Sequence, residues 1–242
     1  MSLIADLDRG LVDLIFPRDC MVTQLPMDDQ ARLYLSDFGA RQLERIHDPR
    51  CHTCGHPFDG ILEGDRTCPH CLDLNPAFGR AVCAFRARGH IRQIIHEIKY
   101  AHCPFLVEDL VAIAVEDPLF RHHLAGAHLI PVPLHADKFT ERSYNQAERI
   151  ARSLCTHIPG CSWSHSLIKI KSTPSQTLLN RIERRRNVAK AFATNPNATI
   201  SPDVRYVIID DVLTTGATLH ACATALRKTG ALHIDAATLA HG

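Results

Sequence analysis

The chain is 242 residues long, 45% hydrophobic and 22% charged, an ordinary soluble composition with room for a sizeable core. No run of about 18 apolar residues occurs, and the first twenty residues lack the basic start, apolar core and small-residue cleavage site of a secretory signal. Neither membrane insertion nor export is therefore expected, and the expected location is cytoplasmic. The net charge of +1 conceals a division: from Ala151 onward eleven Lys and Arg face five Asp and Glu, a balance of +6, while residues 1–150 carry −5. A positive C-terminal half predicts an anionic ligand there, phosphate or nucleic acid, with a solvated basic surface as the alternative.

In chain order, Leu3, Leu7, Leu11, Leu14 and Ile15 fall at helical spacing before Pro17, predicting an amphipathic helix over 2–15. A second helix is expected over 28–46, with Leu33, Leu43 and Ile46 as apolar points and Gly39 working against it. Residues 48–80 change texture to Cys, His, Pro, Gly and Asp, the composition of a metal-held loop region. AVCAFRA reads as a strand, and HIRQIIHEIKYA as a helix with Ile91, Ile94, Ile95 and Ile98 on one face. Another helix is expected to start near Pro104, since the first turn tolerates proline.

Beyond it, HLIPVPL, VRYVIID and HIDAATLA read as strands. Between them stand the helical stretches NQAERIARSLCTHI and TLHACATALRKTG, the second closed by Gly230. Alternating strands and helices predict an α/β fold with a parallel sheet flanked by helices. The chain accordingly divides into a helical and cysteine-rich N-terminal region, 1–80, and an α/β domain, 81–242.

CHTCG and CPHC supply Cys51, Cys54, Cys68 and Cys71, two CxxC pairs with thirteen residues between them. Two residues between thiolates let one tight turn aim both sulfurs at a single ion, so two such turns complete a tetrahedron. A closed, structural zinc site in a small zinc-ribbon-like module is the expectation; unligated surface thiols are the alternative. His52, His56 and His70 are near enough to replace a cysteine, but four thiolates already suffice. Cys20, Cys83, Cys103, Cys155, Cys161 and Cys222 stand alone and read mostly as small buried apolar residues.

In VIIDDVLTTGATL a strand is expected to end at Asp210 and Asp211, with a helix beginning inside the TTGAT turn. Ligands of open parallel sheets bind at the carboxyl ends of strands. The N–H groups opening the helix, the hydroxyls of Thr214, Thr215 and Thr218, and a glycine permitting close approach can surround a phosphate. Two carboxylates would repel that phosphate, so they must address another part of the same ligand. A sugar diol beside a 5′-phosphate meets both demands. A magnesium-binding Walker B pair would need a GxxxxGK[ST] loop, which the chain lacks. A third reading, in which Asp210 only caps the helix, leaves Asp211 and the threonines unexplained.

VIIDDVLTTGATL resembles the PRPP-binding motif of type I phosphoribosyltransferases. That resemblance implies ribose hydroxyls at Asp210 and Asp211, and the 5′-phosphate at Thr214, Thr215, Gly216, Ala217 and Thr218. The chain is also similar to the ComF family of competence proteins, a zinc-binding N-terminal region joined to a phosphoribosyltransferase domain. The matching stretches are IKY at 98–100, PVPLHADKFTERSYNQA, and Gln176 followed by Arg184, Asn187 and Phe192. Ser143 stands where that family has a glycine after arginine, which would alter the loop, and Thr23 where a second cysteine would follow Cys20.

Between Lys169 and Lys190 the cations Lys169, Lys171, Arg181, Arg184, Arg185, Arg186 and Lys190 face Glu183 alone. In related phosphoribosyltransferases a loop in a comparable place closes over pyrophosphate; the same charge suits a nucleic-acid backbone. With Phe192 as the only nearby aromatic, DNA contact is expected to be to phosphates and salt-sensitive. Arg142 is a further diphosphate or DNA candidate, or else a core-edge arginine. The resemblance implies a competence protein that handles internalised single-stranded DNA with a PRPP-type pocket, magnesium accompanying PRPP. The alternatives are an active phosphoribosyltransferase with an unidentified acceptor, and a docking protein for competence or recombination partners.

Overall fold

A computed structural model describes residues 18–27, 32–60, 64, 66–101, 103–171, 188 and 190–242. The helix expected over 2–15 lies outside the described residues. So do Arg181, Arg184, Arg185 and Arg186, together with Gln176 and Asn187.

Two short helices precede the sheet, α1 (Asp37–Arg41) and α2 (Pro69–Leu74). From there the chain runs through β1 (Ala81–Arg86), α3 (Gly89–Tyr100), α4 (Leu106–Ala114), α5 (Pro118–Leu124), β2 (His128–Pro131), α6 (Ala136–Arg142) and α7 (Gln146–His157). It ends with β3 (Ser162–Trp163), β4 (Leu167–Lys169), β5 (Phe192–Thr194), β6 (Arg205–Leu213), α8 (Ala217–Arg227) and β7 (His233–His241). Five strands form one parallel sheet in the order β1-β7-β6-β2-β3, as alternation predicted. β4 and β5 pair antiparallel as a separate ribbon.

β6 lies between β7 and β2 and a core packs on each face of the sheet, so Tyr206–Ile209 are all buried. Successive strand residues point to opposite faces. Val207 and Ile209 join the core built from α3, α4, α5 and α7, including Ile91, Ile94, Leu110 and Ile150. Tyr206 and Ile208 join the opposite core, which contains Leu219, Cys222 and Leu226 of α8 and all four clustered cysteines. The metal module and α8 thus share one face of the sheet. No helix among the described residues is long and apolar enough to cross a membrane.

Two expectations are corrected. Within 28–46 the only helix among the described residues is the five-residue α1. The buried Asp109 carboxylate accepts N–H bonds from Leu33, Tyr34 and Leu35, fixing that stretch outside a helix. Ser36 then caps α1 by accepting from the Gly39 N–H at 3.1 Å. Gly39 is required by proximity, since a Cβ there would sit 2.6 Å from Cys20 Sγ. The second correction concerns β6, which runs past the acidic pair to Leu213 because β7 continues beside it, pairing Val212 with Ala240 and Leu213 with His241. On the β2 side the ladder stops at Pro131 opposite Ile209, which opens that edge at Asp210.

Of the isolated cysteines, Cys20, Cys83 and Cys222 are buried, whereas Cys103, Cys155 and Cys161 are partly exposed.

Candidate functional site

The acidic pair lies where β6 leaves β2, at the carboxyl end of a central strand. Asp211 is buried, and its Oδ2 lies 2.9 Å from Lys99 Nζ at the end of α3. Asp210 is partly buried, and its Oδ1 accepts the Asp211 N–H at 2.9 Å. Burial, followed by the charge of Asp211, pushes the Asp210 pKa up to about 7. Burial opposes the charge of Lys99, but the neighbouring Asp211 carboxylate outweighs it and holds Lys99 above the ordinary lysine value. Breaking this pair would strand a buried carboxylate.

The following turn behaves as its composition predicts. Gly216, φ +68°, is the N-cap of α8 and offers no side-chain cap. The first-turn N–H groups therefore receive no cap from that residue, and Asp210 is not the helix cap. Asp210, Thr214, Gly216, Ala217 and Thr218 line one narrow cleft. Thr214 is exposed, Thr218 partly so, and Thr215 is buried. Six of the seven ribose and phosphate candidates line this cleft, Thr215 among them, whereas Asp211 points to the other face of β6, toward Lys99.

Cations reach this edge from three separate elements. Lys99 of α3 and Lys169 of β4 are both close enough to act on Asp210, and both feel the charge of Arg142 at the end of α6. Burial pulls Lys169 below its ordinary pKa. Arg142 lies over the Tyr100 ring, 5.1 Å from its centroid, and among the described residues its buried Nε has no acceptor. Lys171 is exposed.

Lys99 was missed as a site residue. Its only sequence signal is its place in IKY, just beyond the apolar face of α3, and its partner belongs to a distant strand.

Ser143 replaces the expected glycine without changing the backbone conformation that a glycine would favour: it ends α6 at φ 63°, ψ −2°. The next residue is tied down, since the Tyr144 hydroxyl donates to the Ile98 carbonyl beside Lys99. The left-handed conformation costs an L-residue about 1–2 kcal/mol, partly offset by the entropy that glycine loses on folding. Ser143→Gly is therefore expected to raise stability by up to about 1 kcal/mol in urea unfolding, with the ligand pocket unaltered.

The four cysteines form the one cluster among the described residues that could hold a metal ion, all buried, their sulfurs within 4.8 Å of one another. Cys54 and Cys68 sulfurs are 3.7 Å apart. A zinc–sulfur bond of about 2.3 Å implies tetrahedral sulfur–sulfur edges of about 3.8 Å, so the spacing fits one tetrahedral ion. The Cys68 N–H donates to Cys51 Sγ at 3.2 Å, the kind of bond that stabilises a thiolate. Gly55, φ +73°, makes the first turn possible. His70 is not a ligand; its Nε2 lies 2.6 Å from the Thr215 carbonyl oxygen.

Residues 143–242 match the family model of the phosphoribosyl transferase domain. Among curated proteins, the chain is 28% identical over 187 residues to "Competence protein F" of Haemophilus influenzae, covering 75% of this chain and 81% of that one. It is 26% identical over 190 residues to "DNA utilization protein YhgH" of Salmonella typhimurium, covering 76% and 81% respectively. A shorter match, 33% identical over 102 residues, joins 42% of this chain to 39% of "Competence protein ComFC" of Bacillus subtilis.

Proposed function

We propose that the chain, similar over three quarters of its length to a competence protein and carrying a phosphoribosyl transferase domain match beside a four-cysteine cluster, is a ComF-family protein that binds a PRPP-type ligand at the end of β6 and serves DNA handling in natural transformation. The observation carrying this reading is the pairing of Lys99 with an acidic pair that borders a turn suited to phosphate, with Lys169 close enough to act on Asp210 and Arg142 close enough to act on both lysines. A ligand with one diol, one terminal phosphate and one diphosphate uses all three groups. Asp210 and Asp211 accept from the ribose hydroxyls. Thr214, Thr215, Gly216, Ala217 and Thr218 hold the 5′-phosphate through N–H and hydroxyl donors. The cations offset the diphosphate, a task that magnesium shares when it accompanies the ligand. Should transfer occur, the same cations stabilise the charge gathering on departing pyrophosphate as an acceptor attacks the anomeric carbon. Zinc at Cys51, Cys54, Cys68 and Cys71 is structural in this reading, because four thiolates leave no open position.

Single-stranded DNA is the proposed macromolecular partner, in the cytoplasm. The names of the curated relatives and the +6 balance of the C-terminal half support it. Arg181, Arg184, Arg185 and Arg186, together with Lys171, are the candidate phosphate contacts. Docking of recombination proteins on residues 1–80 is the alternative role.

Calorimetric titration with PRPP and magnesium, beside single-stranded DNA at 50 and 200 mM salt, tests the reading. Saturable PRPP binding is expected, with DNA affinity falling at least about tenfold at the higher salt. DNA binding without any PRPP binding would overturn the ribose-phosphate assignment.

A further inference from the structure

We propose that the four-cysteine module braces the phosphate loop, with His70 as the positioning residue that transmits the metal site's rigidity to it. The inference rests on the reading of TTGAT as a phosphate loop. Cys68 is the N-cap of α2 and Cys71 lies within the helix, so two of the four thiolates fix where this short helix stands. His70, between them, has its Nε2 2.6 Å from the Thr215 carbonyl oxygen. A carbonyl only accepts, so Nε2 carries the proton.

The consequence for the loop follows from peptide geometry. In a trans peptide the C=O and the following N–H point in opposite directions. Drawing the Thr215 carbonyl toward the module therefore aims the Gly216 N–H away from it. Leu74, the last residue of α2, stands against Gly216 so closely that a Cβ there would sit 3.0 Å from Leu74 Cδ2. Two more bonds extend the clamp along α8: the Ala77 N–H donates to His220 Nδ1 at 3.1 Å, and Arg227 Nε donates to the Ala77 carbonyl at 2.6 Å.

A cavity of about 410 Å³ lies between module and loop, walled by Phe58, Phe78, Leu213 and His241 among others. Beside this cavity the loop is held by discrete contacts from the module, and among them His70 supplies a polar one.

The test compares full-length wild type, His70→Ala and His70→Gln, the last retaining an N–H donor. Metal per chain, PRPP–magnesium affinity, and hydrogen exchange of the Gly216, Ala217 and Thr218 amides without ligand are measured on each. His70→Ala is expected to keep its metal, weaken PRPP at least tenfold and speed exchange of the three amides at least tenfold, with His70→Gln recovering most of both. Unchanged exchange and affinity in a metal-replete His70→Ala protein overturn the brace. If wild type fails to bind PRPP, the ligand assignment falls, and the exchange data still decide the brace. Loss of metal in His70→Ala would overturn the assignment of His70 as a positioning residue outside the metal site.

Discussion

Asp210→Asn is expected to make the protein more stable at pH 8 while weakening its hold on PRPP. The Asp210 carboxyl, ordinarily near 3.8, is pushed up to about 7 by burial and by Asp211 beside it. A raised carboxyl pKa means that the folded state binds a proton more tightly than the unfolded one. Its stability is therefore highest below about pH 4 and is lost as pH rises toward about 7. The asparagine has no such charge to force into the site. Urea unfolding should show the variant ahead by on the order of 2 kcal/mol at pH 8, after discounting for solvent screening, and level with wild type near pH 4.

The binding arm moves the other way. A hydrogen bond to a charged acceptor contributes about 1.5–3 kcal/mol, so losing the carboxylate should weaken PRPP by roughly 10- to 100-fold. Doing the same at Asp211 also removes the partner of Lys99, and the double variant should show no measurable binding. A variant less stable at both pH values would instead make Asp210 a structural residue. Gaining stability by removing a charge that binding needs is the signature expected of a functional site.

The second large effect concerns the metal. Chelation, or Cys54→Ser, is expected to cost at least about 4 kcal/mol and lower the melting temperature by roughly 10 °C. The size follows from position: the four cysteines are buried in the same core as Phe78, Ala81, Ile208 and α8, so their disorder uncovers apolar surface of the sheet itself. The Thr53 carbonyl also accepts the Ala81 N–H at 2.7 Å, joining the module directly to the edge strand. Scanning calorimetry with metal analysis decides it. Metal-free protein melting with the metal-loaded form would mean that the thiols merely pack.

Local chemistry made much of this legible. The continuous apolar run of β6 and the apolar face of α3 are read directly from the sequence, and CxxC is a turn whose spacing suits two ligands of one ion. What failed to show was also physical. The helix expected over 28–46 obeys its apolar spacing until Asp109, distant in sequence, takes the backbone N–H groups of Leu33–Leu35. β5 is too short to announce itself as a strand, and α6 has no buried face to set a period.

By itself the sequence determined the strand–helix alternation, the two CxxC pairs and the grouping of acidic pair and hydroxyl loop, because each depends on residues adjacent in the chain. Tertiary structure decided that Lys99 and Lys169 stand near that pair with Arg142 beside both lysines, and that the cysteine module lies behind its loop. Lys99 and Asp211 attract one another only because β6 and α3 meet across a sheet whose strand order no local pattern encodes. A charge without its neighbours has no chemistry to read, and those neighbours are set by packing.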